Sequence, residues 1–185
     1  MVRKTFLFLI IVTLIITSKA FAKDPELSNI IVTNTRDDLL IFLKVDNAFN
    51  KKLMDEIKSG LPTSFTYLVN LDRVRSLWMD KNIVELTFKH TIKWDSLKNE
   101  YTVIRSWENN KKRKTRSFIE AAKLMTEVDS LKVASLATLE KGELYKIRAK
   151  SELRIVRLPL RMDYVLFFVS YWDFETDWHA VEFIY

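Results

Sequence analysis

Residues 83–92 alternate: Val84, Leu86, Phe88, His90 and Ile92 fall on one side, and Glu85, Thr87, Lys89 and Thr91 on the other. Successive side chains of an extended chain point to opposite faces, so this pattern demands a strand with one face in a core and one in water. Strands of a parallel sheet are buried on both faces and lose such alternation; antiparallel sheets with one wet face keep it. The pattern recurs at Leu39, Ile41, Leu43 and Val45, and at Phe65, Tyr67, Val69 and Leu71. Tyr101, Val103 and Trp107 carry a weaker version, interrupted at Arg105. Between 143 and 155, Leu144, Lys146, Arg148, Lys150, Glu152 and Arg154 share one face, and Tyr145, Ile147 and Ala149 the other. A last strand is expected from Trp178 to Tyr185, with His179, Val181, Phe183 and Tyr185 on one side.

Two segments switch to helical spacing. In NAFNKKLMDEIKSGLP, Phe49, Leu53 and Ile57 recur every fourth residue, Asn47 is the expected N-cap, and Gly60 with Pro62 supplies the stop. In RSFIEAAKLMTEV, Ser117 and Glu120 have capping-box spacing, and Phe118, Ala121, Ala122, Met125 and Val128 form an apolar stripe. The run MDYVLFFVSYW fits either a short helix or a buried strand. The expected fold class is therefore α+β: a mainly antiparallel β-sheet, sandwich-like, covered by two to three amphipathic helices. No linker or low-complexity tract follows residue 28, so residues 23–185 are expected to form a single domain.

The N-terminus, MVRKTFLFLIIVTLIITSKAFAKD, sets the compartment. Arg3 and Lys4 precede an 11-residue apolar run, Phe6 to Ile16, and Ala20-Phe21-Ala22 is a small-x-small cleavage site. Lys19 arrives too soon for a span of about 20 apolar residues. Residues 1–22 are expected to be a signal peptide, which makes the remainder a periplasmic protein and not an integral membrane protein after cleavage. The formal charge of +6 falls to +3 once Arg3, Lys4 and Lys19 leave, which removes the case for nucleic acid as partner. The absence of cysteine excludes disulfides, a thiol nucleophile and thiolate metal sites, and two glycines cannot build a phosphate-cradling loop.

The segment WDFETDWH places Asp173, Glu175, Asp177 and His179 at every second position. Asp177 and His179 have the spacing to share a metal, but a strand carries the four over about 20 Å, too far for one ion. The apolar phase also slips by one residue between Trp178 and Val181, which calls for a bulge or turn. We therefore expect Trp172, Asp173, Phe174, Thr176, Asp177 and Trp178 to form a structural motif, a capped turn leading into the last strand. No metal site, cofactor or catalytic constellation is expected. His90, on the apolar face of the best strand, is expected to be a satisfied core histidine. Basic residues gather in two places: Lys111, Lys112, Arg113, Lys114 and Arg116 after Asn109-Asn110, and the row Lys146, Arg148, Lys150. Such runs are usually a solvated face; the functional reading is a site for an anionic partner, an envelope protein or anionic lipid.

Taken in order, the helix with Gly-x-Pro and an aromatic strand, then SFIEAAKLM, GELYKIRAKSEL, Leu158-Pro159 and the closing WDFETDW resemble the exported bacterial family known as domain of unknown function 4390. The resemblance covers nearly all of residues 23–185. It implies export and this architecture, assigns no catalytic residues, and suggests a link to envelope sensing. The expected function is a non-enzymatic envelope binding domain. The alternatives are a small outer-membrane β-barrel, raised by Val181, Phe183 and the terminal Tyr185, and a metal-dependent hydrolase using Asp173 to His179.

Overall fold

The alternating segments become the strands of two antiparallel sheets in a computed structural model that describes residues 23–155 and 175–185. In chain order the elements are β1 (Glu26–Asn34), β2 (Asp38–Asp46), α1 (Lys51–Lys58), β3 (Thr63–Arg73), β4 (Lys81–Asp95), β5 (Glu100–Arg105), β6 (Lys111–Thr115), α2 (Phe118–Thr126), β7 (Glu127–Ser135), β8 (Leu144–Ile155) and β9 (His179–Ile184). Three strands form one sheet in the order β1-β2-β7; six form the other in the order β6-β5-β4-β3-β8-β9. Among the described residues both sheets are open, with β6 and β9 as the edges of the larger one, so these strands do not close into a barrel. The expected α+β sandwich is the observed fold. The expected signal peptide, MDYVLFFVSYW, Trp172, Asp173 and Phe174 lie outside the described residues.

The core forms between the sheets from the alternating sets. Leu39, Ile41, Leu43 and Val45 of β2 face Phe65, Tyr67, Val69 and Leu71 of β3, Phe88 and Ile92 of β4, and Ile147 and Leu153 of β8, all buried. Arg105 does not interrupt β5: Tyr101, Val103 and Arg105 are buried in turn, and Arg105 simply occupies a core-facing position. On the other side of the central strand, Ser64 and Thr91 hydroxyls bond at 2.8 Å.

The helices fill the gaps of the sandwich. Helix α1 carries the chain from one sheet to the other and buries Leu53 and Ile57. Its cap is Asn50, whose Oδ1 accepts from the Leu53 amide at 2.9 Å, and not Asn47, which takes a left-handed φ of 56° as β2 ends. This later start leaves Phe49 free to pack on the rings of Phe65 and Phe118, at 5.5 and 5.4 Å. Gly60 stops α1 at φ 87°, as the Gly-x-Pro signal required. Helix α2 is capped by Ser117, which accepts from the Glu120 amide, while the Glu120 carboxylate turns to Thr115 instead of closing the capping box. It packs against β4, β5 and β6 of the large sheet and β2 and β7 of the small one, with Ala121 and Met125 fully buried. At the opposite margin β1 lies against β8 and β9.

Ile41 is wholly buried at the centre of the small sheet, so Ile41→Ala should cost about 3 kcal/mol in urea unfolding through lost transfer energy and the cavity left behind. The same truncation at the exposed Leu97, on the β4–β5 turn, should cost less than about 0.5 kcal/mol.

Candidate functional site

Where α2 ends, its last carbonyls need partners, because a helix leaves its final C=O groups without intrahelical donors. The large sheet supplies them. Arg105 Nε donates to Leu124 O at 2.9 Å and its Nη2 to Glu127 O at 3.1 Å. Tyr67 donates to Met125 O at 2.6 Å, and His90 Nδ1 meets the same carbonyl at 2.9 Å. The indole of Trp107 can only donate, and it donates to His90 Nε2 at 2.9 Å. His90 is thus a neutral imidazole carrying its proton on Nδ1. Burial pushes it down to about 4, helped by the nearby Arg105 charge and opposed by the Met125 bond. Burial likewise raises the Tyr67 hydroxyl above its ordinary value. Arg105 pairs with Glu108 at 2.9 Å, and Glu108 also binds Arg113 at 2.9 Å. Burial opposes the Glu108 charge, yet bonds from Arg113 and Arg105 hold its carboxyl below the usual range. Tyr67, His90 and Arg105 are buried with their polar groups bonded, and the half-buried Trp107 and Glu108 close the cluster towards solvent, which makes it a structural anchor. His90 is the satisfied core histidine that its position implied.

The basic row on β8 is neutralised. Lys146 bonds Glu182 at 3.0 Å and Asp80 at 3.5 Å, and Arg148 bonds the buried Asp72 at 2.7 Å. Lys150 bonds Glu152 at 3.1 Å and also pairs with Glu175. Trp178 lies over this row on the outside of the sheet, its ring centroid 5.6 Å from the Arg148 guanidinium and 5.2 Å from the Lys150 ammonium. Within the described part of the closing motif, Glu175 pairs with Glu152, and Ala149 with His179, so the segment leading into β9 carries one extra residue over that interval. This bulge is the phase slip seen in the apolar pattern. Thr176 pins it, its amide donating to Ser151 O at 2.9 Å and its hydroxyl accepting from the Ser151 amide at 3.0 Å.

The second basic cluster behaves differently. It forms the edge strand β6 and the turn after it, with the left-handed Asn109 and Asn110 reversing the chain before Lys111. Arg113 and Lys114 pair with Glu108 and Glu100 at 2.9 and 3.1 Å; Lys111, Lys112 and Arg116 have no ion pair among the described residues. Lysines on an edge strand block sheet-to-sheet pairing, and that is one role of this run. The register gives Lys112 and Lys114 a second one. Thr91 of β4, Ile104 of β5 and Lys112 of β6 stand in line, as do Lys93, Thr102 and Lys114. With Lys98, Asp95 and Glu100 they line a shallow depression of about 320 Å³ on the outer face, carrying four cations against two acids. Lys93 and Lys98 were not singled out in the sequence because they belong to a different strand and turn from the basic run.

A third surface went unread in the sequence. The β3–β4 connection, residues 74–80, exposes Leu77, Trp78 and Met79 at 90%, 80% and 90%. Three bulky apolar residues between Arg75 and Asp80-Lys81, at a turn joining two long strands, are the signal that could have revealed it.

Asp177 and His179 line a polar depression of about 420 Å³ with Lys23, Asp24 and Glu26, where Lys23 and Glu26 pair. Glu175 is held by Lys150. Among the described residues no three His, Asp or Glu side chains converge on a point that a metal ion could occupy, and no helix is long and apolar enough to cross a membrane.

A family model described as Domain of unknown function (DUF4390) matches residues 22–182. No curated protein and no solved structure matches the chain.

An unfolded histidine takes up its proton near its ordinary value and the folded one only near 4, so between those limits the unfolded chain binds more protons. The His90 contribution should be complete above about pH 6.5 and lost as pH falls towards 4, amounting to about 3 kcal/mol. Urea unfolding at about pH 7 and pH 4.5 measures it. His90→Gln, whose amide can serve both Trp107 and Met125, should flatten the slope across that window.

Proposed function

The chain belongs to the domain of unknown function 4390 family, and from that premise we propose that it is an exported, non-enzymatic binding domain of the bacterial envelope that holds an anionic partner on the outer face of its larger sheet. One observation carries the reading: of the two basic clusters, the β8 row spends its charge within the domain, whereas Lys93 and Lys112 line the β4–β5–β6 depression without ion pairs among the described residues. Thr91 and Thr102 on the floor add hydroxyls to the ammonium groups, a donor set suited to phosphate or carboxylate oxygens. Such a surface depends on salt, since exposed charges act over about 10 Å at ordinary ionic strength. Export rests on the leader of residues 1–22, and a link to envelope sensing is what the family resemblance implies.

Two measurements test this reading. Osmotic shock should release a chain whose N-terminus is Lys23. Titration with inorganic polyphosphate at low salt should show binding that weakens about tenfold in Lys93→Ser/Lys112→Ser and is unchanged in Lys146→Ser. Equal binding by the double variant, or none by the wild type, refutes the site.

A further inference from the structure

We propose that the β3–β4 hairpin is a membrane-docking wedge, in which Leu77, Trp78 and Met79 enter the interface of a lipid bilayer. The tip is part of the described fold, anchored by β3 and β4, which pair from Thr63–Ile92 to Arg73–Lys81. Rigid strands therefore present the three apolar side chains to solvent. The remaining large exposed apolar residues among those described, Ile31, Leu97, Ile119, Trp178 and Ile184, are not consecutive in the chain.

Size and charge decide between a bilayer and a protein partner. Three side chains offer roughly 500 Å², short of the roughly 800 Å² that each side of a stable protein interface contributes. A bilayer interface needs far less, because a few apolar side chains immersed by about 5–10 Å give reversible attachment, and tryptophan favours that depth. The tip is bracketed by cations suited to headgroup phosphates. Arg75 and Lys81 have no ion pair among the described residues, while the intervening Asp80 is held by Lys146. An irregular loop would not go deeper, since its backbone amides need water or headgroups for partners.

The docking geometry also sets an orientation. The depression carrying Lys93 and Lys112 lies towards the other end of β4, which spans Lys81–Asp95. At about 3.3 Å per residue that places it roughly 40 Å from the tip. A domain docked through the hairpin would therefore carry its anionic partner well clear of the lipid surface. The wedge does not depend on the polyanion site; it shares with that reading only the export that brings the chain to an envelope membrane.

The test is co-sedimentation of the chain from Lys23 to Tyr185 with vesicles of phosphatidylcholine, with and without phosphatidylglycerol, and with Trp78 as fluorescent reporter. The wild type should bind both, more tightly with phosphatidylglycerol, and brominated lipid should quench Trp78. Leu77→Ser/Met79→Ser should weaken binding to both vesicles about tenfold at an unchanged melting temperature, since these side chains contact little. Trp78→Phe should remove the quenching, and Arg75→Ser/Lys81→Ser should lower only the gain from phosphatidylglycerol. Lys93→Ser/Lys112→Ser should leave binding to phosphatidylcholine alone unchanged, which separates the wedge from the polyanion site. Vesicle binding that is absent, or equal in wild type and the tip double variant, overturns the proposal. So does a double variant that keeps its vesicle affinity but loses an envelope protein captured by the wild type.

Discussion

The sandwich depends on how α2 is tied down. A helix wedged between two sheets must end inside the protein, and its last carbonyls would be orphaned there at a cost of about 1–3 kcal/mol each. Tyr67, His90 and Arg105 stand on three adjacent strands of the large sheet, and together they bind the carbonyls of Leu124, Met125 and Glu127. The arginine charge also suits the negative end of the helix. With those groups satisfied, the chain passes directly from Thr126 into β7 and the small sheet can close over the core. The anchor explains how a guanidinium and an imidazole are accommodated in the interior.

The outer surface shows a division of the same kind. Charges on β8 are consumed by Asp72, Asp80, Glu152, Glu175 and Glu182, and Trp178 spreads over them as an aromatic cover. This arrangement fastens the closing segment to the sheet through Thr176 and the Lys150–Glu175 pair. What remains available is the cationic depression near β6 and the apolar hairpin at the opposite end of β4. The two surfaces differ in chemistry, one salt-dependent and one hydrophobic, so they can be separated by experiment.

Much of the fold was legible in the chain. From Val84 to Ile92 apolar and polar side chains alternate so regularly that a one-residue shift would turn Val84, Leu86, Phe88 and Ile92 to water. Gly60 marks a helix end through a left-handed φ that few other residues support, and Ser117 marks a helix start through a hydroxyl that accepts from the Glu120 amide. The one-residue slip near Trp178 announced the bulge later found between Glu175 and His179. Arg105 misled because a charge at a core position breaks the apolar pattern unless its partners are known, and those partners lie 19 and 22 residues away.

The sequence by itself determined the antiparallel sandwich class, the helix positions and the lack of cysteine chemistry, because periodicity, caps and composition are local properties. Only the tertiary structure decided which charges are spent and which are free. Lys146, Arg148 and Lys150 look as available in the chain as Lys93 and Lys112. Their difference lies in which acid each meets across strands, and that depends on register and long-range pairing.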